Sequence, residues 1–311
     1  MNIFMALLLT IGGFILLIKG ADFFVDGSSS VAKKLRVPSI IIGLTIVAMG
    51  TSLPECAVSV TASISGNNAL AVSNVIGSNI FNLMVVAGSA AIFTPLAISK
   101  NTLTQEFPFS IICAIALLIF GFLGMNLGRI EGIIFLIAFV AYIGWMVYSA
   151  LKNRTESDEE YETLPAWKCI LYIVGGAIAI KYGGDFVVDG ASAIALKLGL
   201  SQNLIGLTIV ALGTSLPELV TSIVAARKNE VDMALGNVVG SNIFNILLVL
   251  GVAAAISPID FIMENVIDCA LLIGMSLLVW WFGWSKKEVN RKEGILMVAI
   301  YAAYLAYIIM R

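Results

Sequence analysis

The sequence predicts an all-α polytopic membrane protein with ten transmembrane helices, arranged as two inverted five-helix repeats. Its 311 residues are 59% hydrophobic and only 12% charged, whereas soluble proteins usually contain about 25% charged residues. The mean hydropathy is +1.00. In addition, two motifs recur in the second half of the chain at a constant spacing, which is typical of an internal duplication.

The predicted helices follow stretches that carry few charges and are long enough to cross a bilayer. The longest stretch, 56–99, is divided at Ser65-Gly66-Asn67-Asn68, because glycine and asparagine favour turns. The first stretch lacks the basic start and cleavage site of a signal peptide, so we expect it to remain in the protein. The ten predicted helices span residues 2–32, 38–64, 69–93, 106–126, 130–151, 166–196, 201–227, 232–256, 262–284 and 291–310.

One strongly polar stretch separates the two halves. It runs from Lys152 to Pro165 and contains five acidic residues. The stretch lacks the ligand framework of an EF-hand loop, which favours a solvated acidic linker over a calcium sensor. The sequence therefore predicts a first repeat at 1–151, a cytoplasmic linker at 152–165 and a second, inverted repeat at 166–311.

The duplication is visible in three places along the chain. The segment Gly50-Thr51-Ser52-Leu53-Pro54-Glu55 recurs 163 residues later as Gly213-Thr214-Ser215-Leu216-Pro217-Glu218. The same offset relates 74–82 (NVIGSNIFN) to 237–245 (NVVGSNIFN) and two aspartates of the first predicted helix to two of the sixth. Because each half has an odd number of helices, the second copy must enter the membrane from the opposite face.

The loop charges predict the orientation in the membrane. Lysine and arginine are enriched in short cytoplasmic loops. In the ten-helix arrangement, thirteen of these residues lie on one side and three on the other. We therefore expect a multi-pass protein of the cell membrane with both termini outside and the linker in the cytoplasm.

Glu55 and Glu218 are the strongest candidates for function. Each lies within an apolar predicted helix, where an ionised carboxylate costs roughly 3 kcal/mol or more unless it meets a partner or a hydrated cavity. The same helices offer no nearby lysine or arginine, which favours mobile cations as partners. A structural ion pair with Lys19 or Lys181 is the alternative. It is disfavoured because each lysine has an aspartate three or four residues further along the same helical face.

The prolines beside these glutamates predict a break in each helix. Pro54 and Pro217 have no backbone N–H, so carbonyl groups in the preceding turn lose their helical partners. Neighbouring serine and threonine hydroxyls add further oxygen atoms, which Ca²⁺ and Na⁺ prefer as ligands. A packing kink would explain one such motif. Two copies, each followed by a glutamate, favour the ion sites that inverted-repeat transporters build from broken helices.

The second motif places polar residues along one helical face. Asn74, Ser78 and Asn82 are spaced four residues apart, so they lie on the same side of a helix. The second copy repeats the pattern at Asn237, Ser241 and Asn245. Their oxygens could bind a cation, or their hydrogen bonds could hold neighbouring helices together. Both interpretations stay open at this point.

The charge of the two glutamates predicts competition between cations. Their combined charge of −2 would be neutralised by one Ca²⁺ or two Na⁺. If an empty, doubly negative site is costly to reorient, the cycle is forced into exchange. The remaining intramembrane aspartates, Asp22, Asp26, Asp185 and Asp189, are interpreted as interfacial ion-pair partners and are left out of the site.

Several other functions are disfavoured. There is no basic block with interleaved aromatic residues, so a nucleic-acid partner is not expected. No nucleophile, base and oxyanion constellation supports an enzyme. The four cysteines have neither CxxC spacing nor histidines beside them, so we expect no zinc site or disulfide framework.

The two motifs resemble the alpha repeats of the sodium/calcium exchangers, within the calcium/cation antiporter superfamily. The resemblance implies an antiporter that exchanges Na⁺ for Ca²⁺ by alternating access, with the first and sixth helices sliding across the rest. A Ca²⁺/H⁺ antiporter is the alternative, and a gated cation channel is a more distant one. The resemblance also implies no cofactor, Na⁺ and Ca²⁺ as substrates, a lipid bilayer as surroundings, and function as a monomer.

The resemblance further implies a set of metal ligands from both halves of the chain. They are Glu55, Glu218, Thr51, Thr214, Ser52, Ser215, Ala48, Ala211, Ser78, Ser241, Asn82 and Asn245, the two alanines acting through their backbone oxygens. Several members of the family have an aspartate where this chain has Asn245, and that carboxylate is associated with binding K⁺. We therefore do not expect K⁺ coupling.

Overall fold

The computed structural model describes residues 2–64, 68–152, 163–200, 209 and 211–310. These residues are almost entirely helical. The helices are α1 (Ile3–Leu35), α2 in two parts (Ser39–Thr51 and Leu53–Ile64), α3 (68–93), α4 (Thr102–Gly124), α5 (Arg129–Lys152), α6 (Ala166–Lys197), α7 in two parts (Ala211–Gly213 and Leu216–Arg227), α8 (Val231–Ile256), α9 (Met263–Lys286) and α10 (Arg291–Met310).

The membrane spans agree with the predicted all-helical fold. Among the described residues, eight helices are each long and apolar enough to cross a membrane, and the two parts of α2 make a ninth span. Much of the segment that precedes α7 lies outside the described residues, so the tenth span stays a prediction. The predicted turn at 65–67 and most of the acidic linker, 153–162, also fall outside them.

The inversion of the two halves is visible where α1 meets α6. These helices occupy equivalent positions in the two repeats and pack through glycines. A Cβ added to Gly13 would lie 2.8 Å from the carbonyl oxygen of Gly183, and one added to Gly27 would lie 2.9 Å from the Cβ of Tyr172. Later residues of α1 thus face earlier residues of α6. Equivalent helices run antiparallel, which is the relation expected of inverted repeats.

Two short strand pairs connect the halves at the ends of helices. The strands β1 (Leu96–Ala97) and β4 (Glu288–Val289) pair antiparallel, and so do β2 (Asn126–Leu127) and β3 (Ile259–Asp260). Each pair joins the first repeat to the second. The two pairs are equivalent, because β1 corresponds to β3 at the offset of 163 residues and β2 corresponds to β4 within one residue of that offset. The sequence did not predict them, because two-residue strands are too short to show a hydrophobic period.

The helices α3 and α8 form the centre of the molecule. In the most apolar 18-residue stretch of each of these helices, 78% is buried, compared with 22% in α1 and 17% in α10. Both contain a π-helical segment, Asn82–Val86 in α3 and Asn245–Leu250 in α8. Such segments are rare and occur frequently at functional sites. Each of these two begins at an asparagine that the sequence places among the candidate ligands.

Candidate cation-binding site

The predicted helix breaks lie at the centre of α2 and α7. The two parts of α2 meet at Ser52 and differ in direction by 50°. Because Pro54 has no N–H, the carbonyl group one turn earlier, on Gly50, lacks its usual helical donor. In α7 the helix is interrupted at Thr214 and Ser215 before it resumes ahead of the second proline.

The breaks bring the two glutamates into one buried site. Glu55 and Glu218 have no exposed surface. The hydroxyl group of Ser52 donates to Oε1 of Glu218 at 2.8 Å, and that of Ser215 donates to Oε1 of Glu55 at 3.0 Å. Each carboxylate is thus held by the serine at the break of the opposite repeat. This crossed arrangement joins the two copies of the first motif.

The central helices complete the site from the sides. On α3, Ser78 Oγ lies 3.3 Å from Ser215 Oγ, which is itself bonded to Glu55. On α8, the buried hydroxyl of Ser241 lies near the carboxylate of Glu218 but has no hydrogen-bond partner among the described residues. Asn82 and Asn245 lie one helical turn beyond these serines and are completely buried. Each copy of the second motif therefore approaches the glutamate of its own repeat.

Six side-chain oxygens in this region are buried without a hydrogen-bond partner among the described residues. Two of them are the hydroxyl oxygens of Ser241 and Thr221, and the other four can only accept. These four acceptors are Oε2 of Glu55, Oε2 of Glu218, Oδ1 of Asn82 and Oδ1 of Asn245. A buried acceptor without a donor costs about 1–3 kcal/mol, and more when it is charged. All four are oxygens, and each pair is related by the repeat. A bound cation would provide the missing partner for every one of them.

The other predicted ligands lie around the breaks. The hydroxyl of Thr51 is buried and lies 3.0 Å from Asn237 Oδ1. The carbonyl oxygen of Ala48 accepts from the N–H of Ser52 at 3.0 Å, and the Thr51 hydroxyl lies 3.3 Å from the same oxygen. Thr214 lines a cavity of about 360 Å³ that lies against both prolines. Ala211 begins the described part of α7.

The first asparagine of each polar trio holds helices together. Asn74 donates to the Ser59 hydroxyl at 3.0 Å, and Asn237 donates to the Ser222 hydroxyl at 2.9 Å. The first bond joins α3 to α2 and the second joins α8 to α7, so each bond stays within one repeat. Of the two interpretations left open by the sequence, hydrogen bonding between helices applies to these two residues.

Sequence reasoning missed Asn79 and Asn242. Each donates to the backbone carbonyl oxygen of the other, at 3.1 and 3.2 Å. Their side-chain oxygens accept from Asn245 at 3.1 Å and from Asn82 at 3.3 Å. These four amides fasten α3 to α8 and orient the two candidate ligands. The available signal was the middle asparagine of each copy of the motif, which recurs at the same offset of 163 residues.

Thr221 was also missed. It lies one turn after Glu218, is fully buried, and its hydroxyl oxygen has no hydrogen-bond partner among the described residues. The equivalent residue of the first repeat is Val58. The other candidates stand out because they recur in both repeats, and a polar residue that is present in one copy only lacks this signal.

The predicted ion pairs of α1 and α6 are present outside the site. Lys19 lies 3.7 Å from Asp22, and Lys181 lies 2.6 Å from Asp185. The structural alternative, in which these lysines neutralise the buried glutamates, is therefore wrong. Asp185 nevertheless lines the same 360 Å³ cavity as Thr214, so the pair on α6 borders an approach to the site.

Comparison with known proteins identifies the same two repeats. The chain matches the family described as sodium/calcium exchanger protein over residues 5–148 and 168–310. It is 33% identical to the sodium/calcium exchanger MaX1 of Methanosarcina acetivorans, covering 94% of this chain and 95% of that protein. It is also 33% identical to the inner membrane protein YrbG of Escherichia coli, covering 97% and 96% respectively.

Solved structures show the same architecture. A structure of the sodium-calcium exchanger NCX_Mj, soaked with Na⁺ and without Ca²⁺, superposes with a TM-score of 0.88 at 34% identity. The superposition covers 98% of this chain and 99% of that one. Further structures of the same exchanger, soaked with Sr²⁺ or Ca²⁺, give TM-scores of 0.86 and 0.85.

Proposed function

The chain belongs to the sodium/calcium exchanger family, and from this membership and its site we propose that it exchanges Na⁺ for Ca²⁺ across the membrane by alternating access. The observation that carries the proposal is the crossed pair of buried carboxylates, each bonded to a serine of the opposite repeat. This arrangement concentrates two negative charges among neutral oxygens, without a lysine or arginine among their described hydrogen-bond partners.

We propose that the ions bind to the oxygens gathered at the two helix breaks. The carboxylates of Glu55 and Glu218 would supply the charge, and hydroxyl, amide and backbone oxygens would complete the coordination shell. The unpaired buried acceptors support this assignment, because bound cations would supply the partners that they lack. The proposed ligands are Thr51, Thr214, Ser52, Ser215, Ala48, Ala211, Ser78, Ser241, Asn82 and Asn245, together with the two glutamates.

The charge of the site explains why transport should be coupled. An empty site carries −2 in an apolar centre, and moving it through a low-dielectric region is costly. One Ca²⁺ or two Na⁺ remove that charge. The loaded site can therefore change sides far more readily than the empty site, so inward movement of one ion is tied to outward movement of the other.

The packing of α1 and α6 supports a sliding mechanism. Glycines at the helix breaks face these two helices, since a Cβ on Gly50 would lie 2.6 Å from the Cζ of Phe24 in α1. The equivalent Gly213 faces Val188 in α6. A joint movement of α1 and α6 would therefore uncover the site on one side while covering it on the other.

The whole site comes from a single chain, which supports a functional monomer. We also propose the boundaries 1–151, 152–165 and 166–311 for the first repeat, the linker and the inverted repeat. The protein would lie in the cell membrane with both termini outside, because the positively charged loops then face the cytoplasm.

Purified protein in Ca²⁺-loaded vesicles tests the exchange directly. An inward Na⁺ gradient at equal pH on both sides should drive Ca²⁺ out, whereas a pH gradient without Na⁺ should not. Efflux driven by the pH gradient alone would indicate a Ca²⁺/H⁺ antiporter instead. Rapid Ca²⁺ efflux without any counter-cation would contradict obligatory exchange and indicate a channel.

A further inference from the structure

One end of α1 is fastened to the turn between α7 and α8. Lys228 of this turn places its Nζ 2.7 Å from Asp26 Oδ1 and 3.5 Å from Asp22 Oδ1. The same ammonium group donates to the backbone carbonyl oxygen of Asp22 at 3.0 Å. The aspartates that the sequence assigns to pairs within α1 therefore also bind a lysine from a different part of the fold.

A second set of contacts strengthens this connection. Glu230, two residues after Lys228, accepts a hydrogen bond from the hydroxyl of Ser29 in α1. It also lies 4.0 Å from Nζ of Lys33. We call the contacts of Lys228 and Glu230 with α1 the inner latch. The latch joins a helix of the sliding pair to the turn that connects two helices of the remaining core.

The opposite side of the site has the equivalent aspartates, and among the described residues no lysine from another helix pairs with them. There, Lys181 pairs with Asp185 within α6 at 2.6 Å, so this ion pair bridges no moving parts. The positions equivalent to Lys228 and Glu230 are Ser65 and Asn67, which are uncharged. They lie outside the described residues, but their side chains cannot form an ion pair with an aspartate. A charged latch is therefore available to one side only.

The accessible space follows the same asymmetry. On the side without the latch, a cavity of about 360 Å³ reaches Pro54, Thr214 and Pro217 at the helix breaks. On the latched side, another cavity is lined by the latch residues, by Val25 and Ser30 of α1, and by Leu164 and Tyr172, and no residue of the helix breaks lines it. Within the described part of the chain, the cavity that reaches the helix breaks therefore lies on the unlatched side, which the loop charges assign to the exterior.

We propose that Lys228 and Glu230 form a one-sided latch that holds the exchanger closed toward the cytoplasm and biases the ion-free protein toward its outward-open state. Each ion pair is partly exposed and weak by itself. All the contacts break together when α1 slides, however, so their sum contributes to the difference between the two states. The inference rests on the proposed alternating-access function and adds a residue-level account of its sidedness.

Distance measurements between spin labels on the purified full-length protein test the latch. Labels at Lys34 of α1 and at Arg227 of α7 occupy exposed positions that lie outside the latch. The background would carry Cys56→Ala, because Cys56 is the one partly exposed thiol among the four cysteines. In the absence of Na⁺ and Ca²⁺, we expect one short distance and a small population at longer distance.

The substitution Lys228→Gln should increase the long-distance population roughly two- to tenfold, as expected for the loss of two weak ion pairs. The matched control is Lys181→Gln, which also removes a lysine–aspartate ion pair. This pair lies within α6 and connects no second helix, so the distance distribution should stay unchanged. Lys228→Arg should preserve the short distance, and Asp26→Asn should shift it in the same direction as Lys228→Gln.

An unchanged distribution in Lys228→Gln, or equal shifts in both lysine variants, would overturn the latch. Size-exclusion profiles of each variant exclude unfolding as the cause of a shift. The distances are recorded without ions and without transport. A failed latch can therefore be distinguished from a failed exchange proposal, which the vesicle assay tests separately.

Discussion

At the residue level, the glutamates of the site differ from the other buried glutamate of the membrane region in their surroundings. Glu106 of α4 is also buried, and one of its oxygens has no hydrogen-bond partner among the described residues. Its equivalent in the second repeat is Cys269, so it has no symmetric partner. Glu55 and Glu218, by contrast, are paired by the repeat and by the crossed serines. Burial alone therefore does not define the site.

The first prediction concerns the charge of the site. Replacing Glu55 or Glu218 by Gln keeps the size of the side chain and removes one negative charge. We expect each variant to lose Ca²⁺ exchange by about a hundredfold or more, which corresponds to the loss of roughly 3 kcal/mol of binding to the ion. Flux of radioactive Ca²⁺ in Na⁺-loaded vesicles measures the effect.

The matched control is Glu106→Gln, which makes the same chemical change in another buried position. It should retain exchange within about a factor of two, since surroundings outside the site contribute little to ion binding. Thermal unfolding should show that both site variants fold, because removing one of two neighbouring negative charges relieves repulsion. Full exchange in either site variant would remove these glutamates from the mechanism.

The second prediction concerns the amide of Asn245. Its nitrogen donates to Asn79 Oδ1 at 3.1 Å, and its own oxygen is unpaired. Asn245→Asp removes the donor and raises the charge of the site to −3. We expect Na⁺/Ca²⁺ exchange to fall by about tenfold or more, because an extra buried charge lacks a compensating ion.

Added K⁺ should restore part of that loss, since a further monovalent cation would neutralise the third carboxylate. The measurement is the exchange rate as a function of K⁺ at constant Na⁺ and constant ionic strength. The native protein, studied in parallel, should show no K⁺ dependence. Equal rates for the native protein and the variant would show that Asn245 does not face the transported ions.

The residues of the site were largely predictable where the sequence repeats itself. Glu55 and Ser52 stand out because a second copy with the same spacing follows. The contacts between copies were not predictable, since they depend on which helices meet. The crossed amides of Asn79 and Asn242 and the reach of Lys228 to α1 are of this kind.

At the level of elements, the helices follow from apolar stretches, while their internal irregularities do not. The predicted α1 and α6 are within a few residues of the observed helices. The π-helical segments, such as Asn82–Val86, were not predicted. They result from one extra residue accommodated within a helix, and no residue type or period marks them. The break in α2 was predictable because proline has a local steric effect.

The third prediction tests the contact between α1 and α6. Gly176 of α6 is buried, and a Cβ there would lie 2.8 Å from both the carbonyl oxygen of Gly20 and the backbone nitrogen of Phe24. Backbone atoms cannot move aside as a side-chain end can. Gly176→Ala should therefore cost about 1–3 kcal/mol of stability through overpacking. A lower midpoint of thermal unfolding in detergent measures this.

The neighbouring glycine supplies the control. A Cβ on Gly175 would meet nothing within 4 Å, so Gly175→Ala should leave the midpoint unchanged or raise it slightly, as alanine is the better helix former. Similar destabilisation by both substitutions would indicate a general effect of this helix region. In that case the close packing of α1 against α6 would not be responsible.

At the level of the whole molecule, duplication explains why the site lies at the centre. One repeat supplies a carboxylate with an unpaired oxygen, and the inverted copy supplies the serine that holds it. Neither half contains the complete set of proposed ligands. The antiparallel packing of α1 and α6 then allows the same pair of helices to cover the site from either side. The asymmetry needed for a preferred state comes from positions where the copies differ, Lys228 above all.

The fourth prediction concerns the orientation of the molecule, on which the meaning of the latch depends. Thirteen lysines and arginines lie on the predicted cytoplasmic side and three on the other, a bias that normally determines orientation. A protease site inserted within 153–162 should resist protease added to sealed, right-side-out cells. A cleavable tag fused after Arg311 should be removed by the same treatment.

Permeabilising the cells should make the linker site cleavable, which controls for a site that is hidden by the protein itself. If the linker is cut in sealed cells while the tag is protected, the orientation is reversed. The inner latch would then close the exterior side, and the ion-free exchanger would be biased toward the cytoplasm. Because the contacts of Lys228 and Glu230 are fixed by the fold, this experiment determines which compartment the favoured state faces, and therefore from which side the empty carrier first captures an ion.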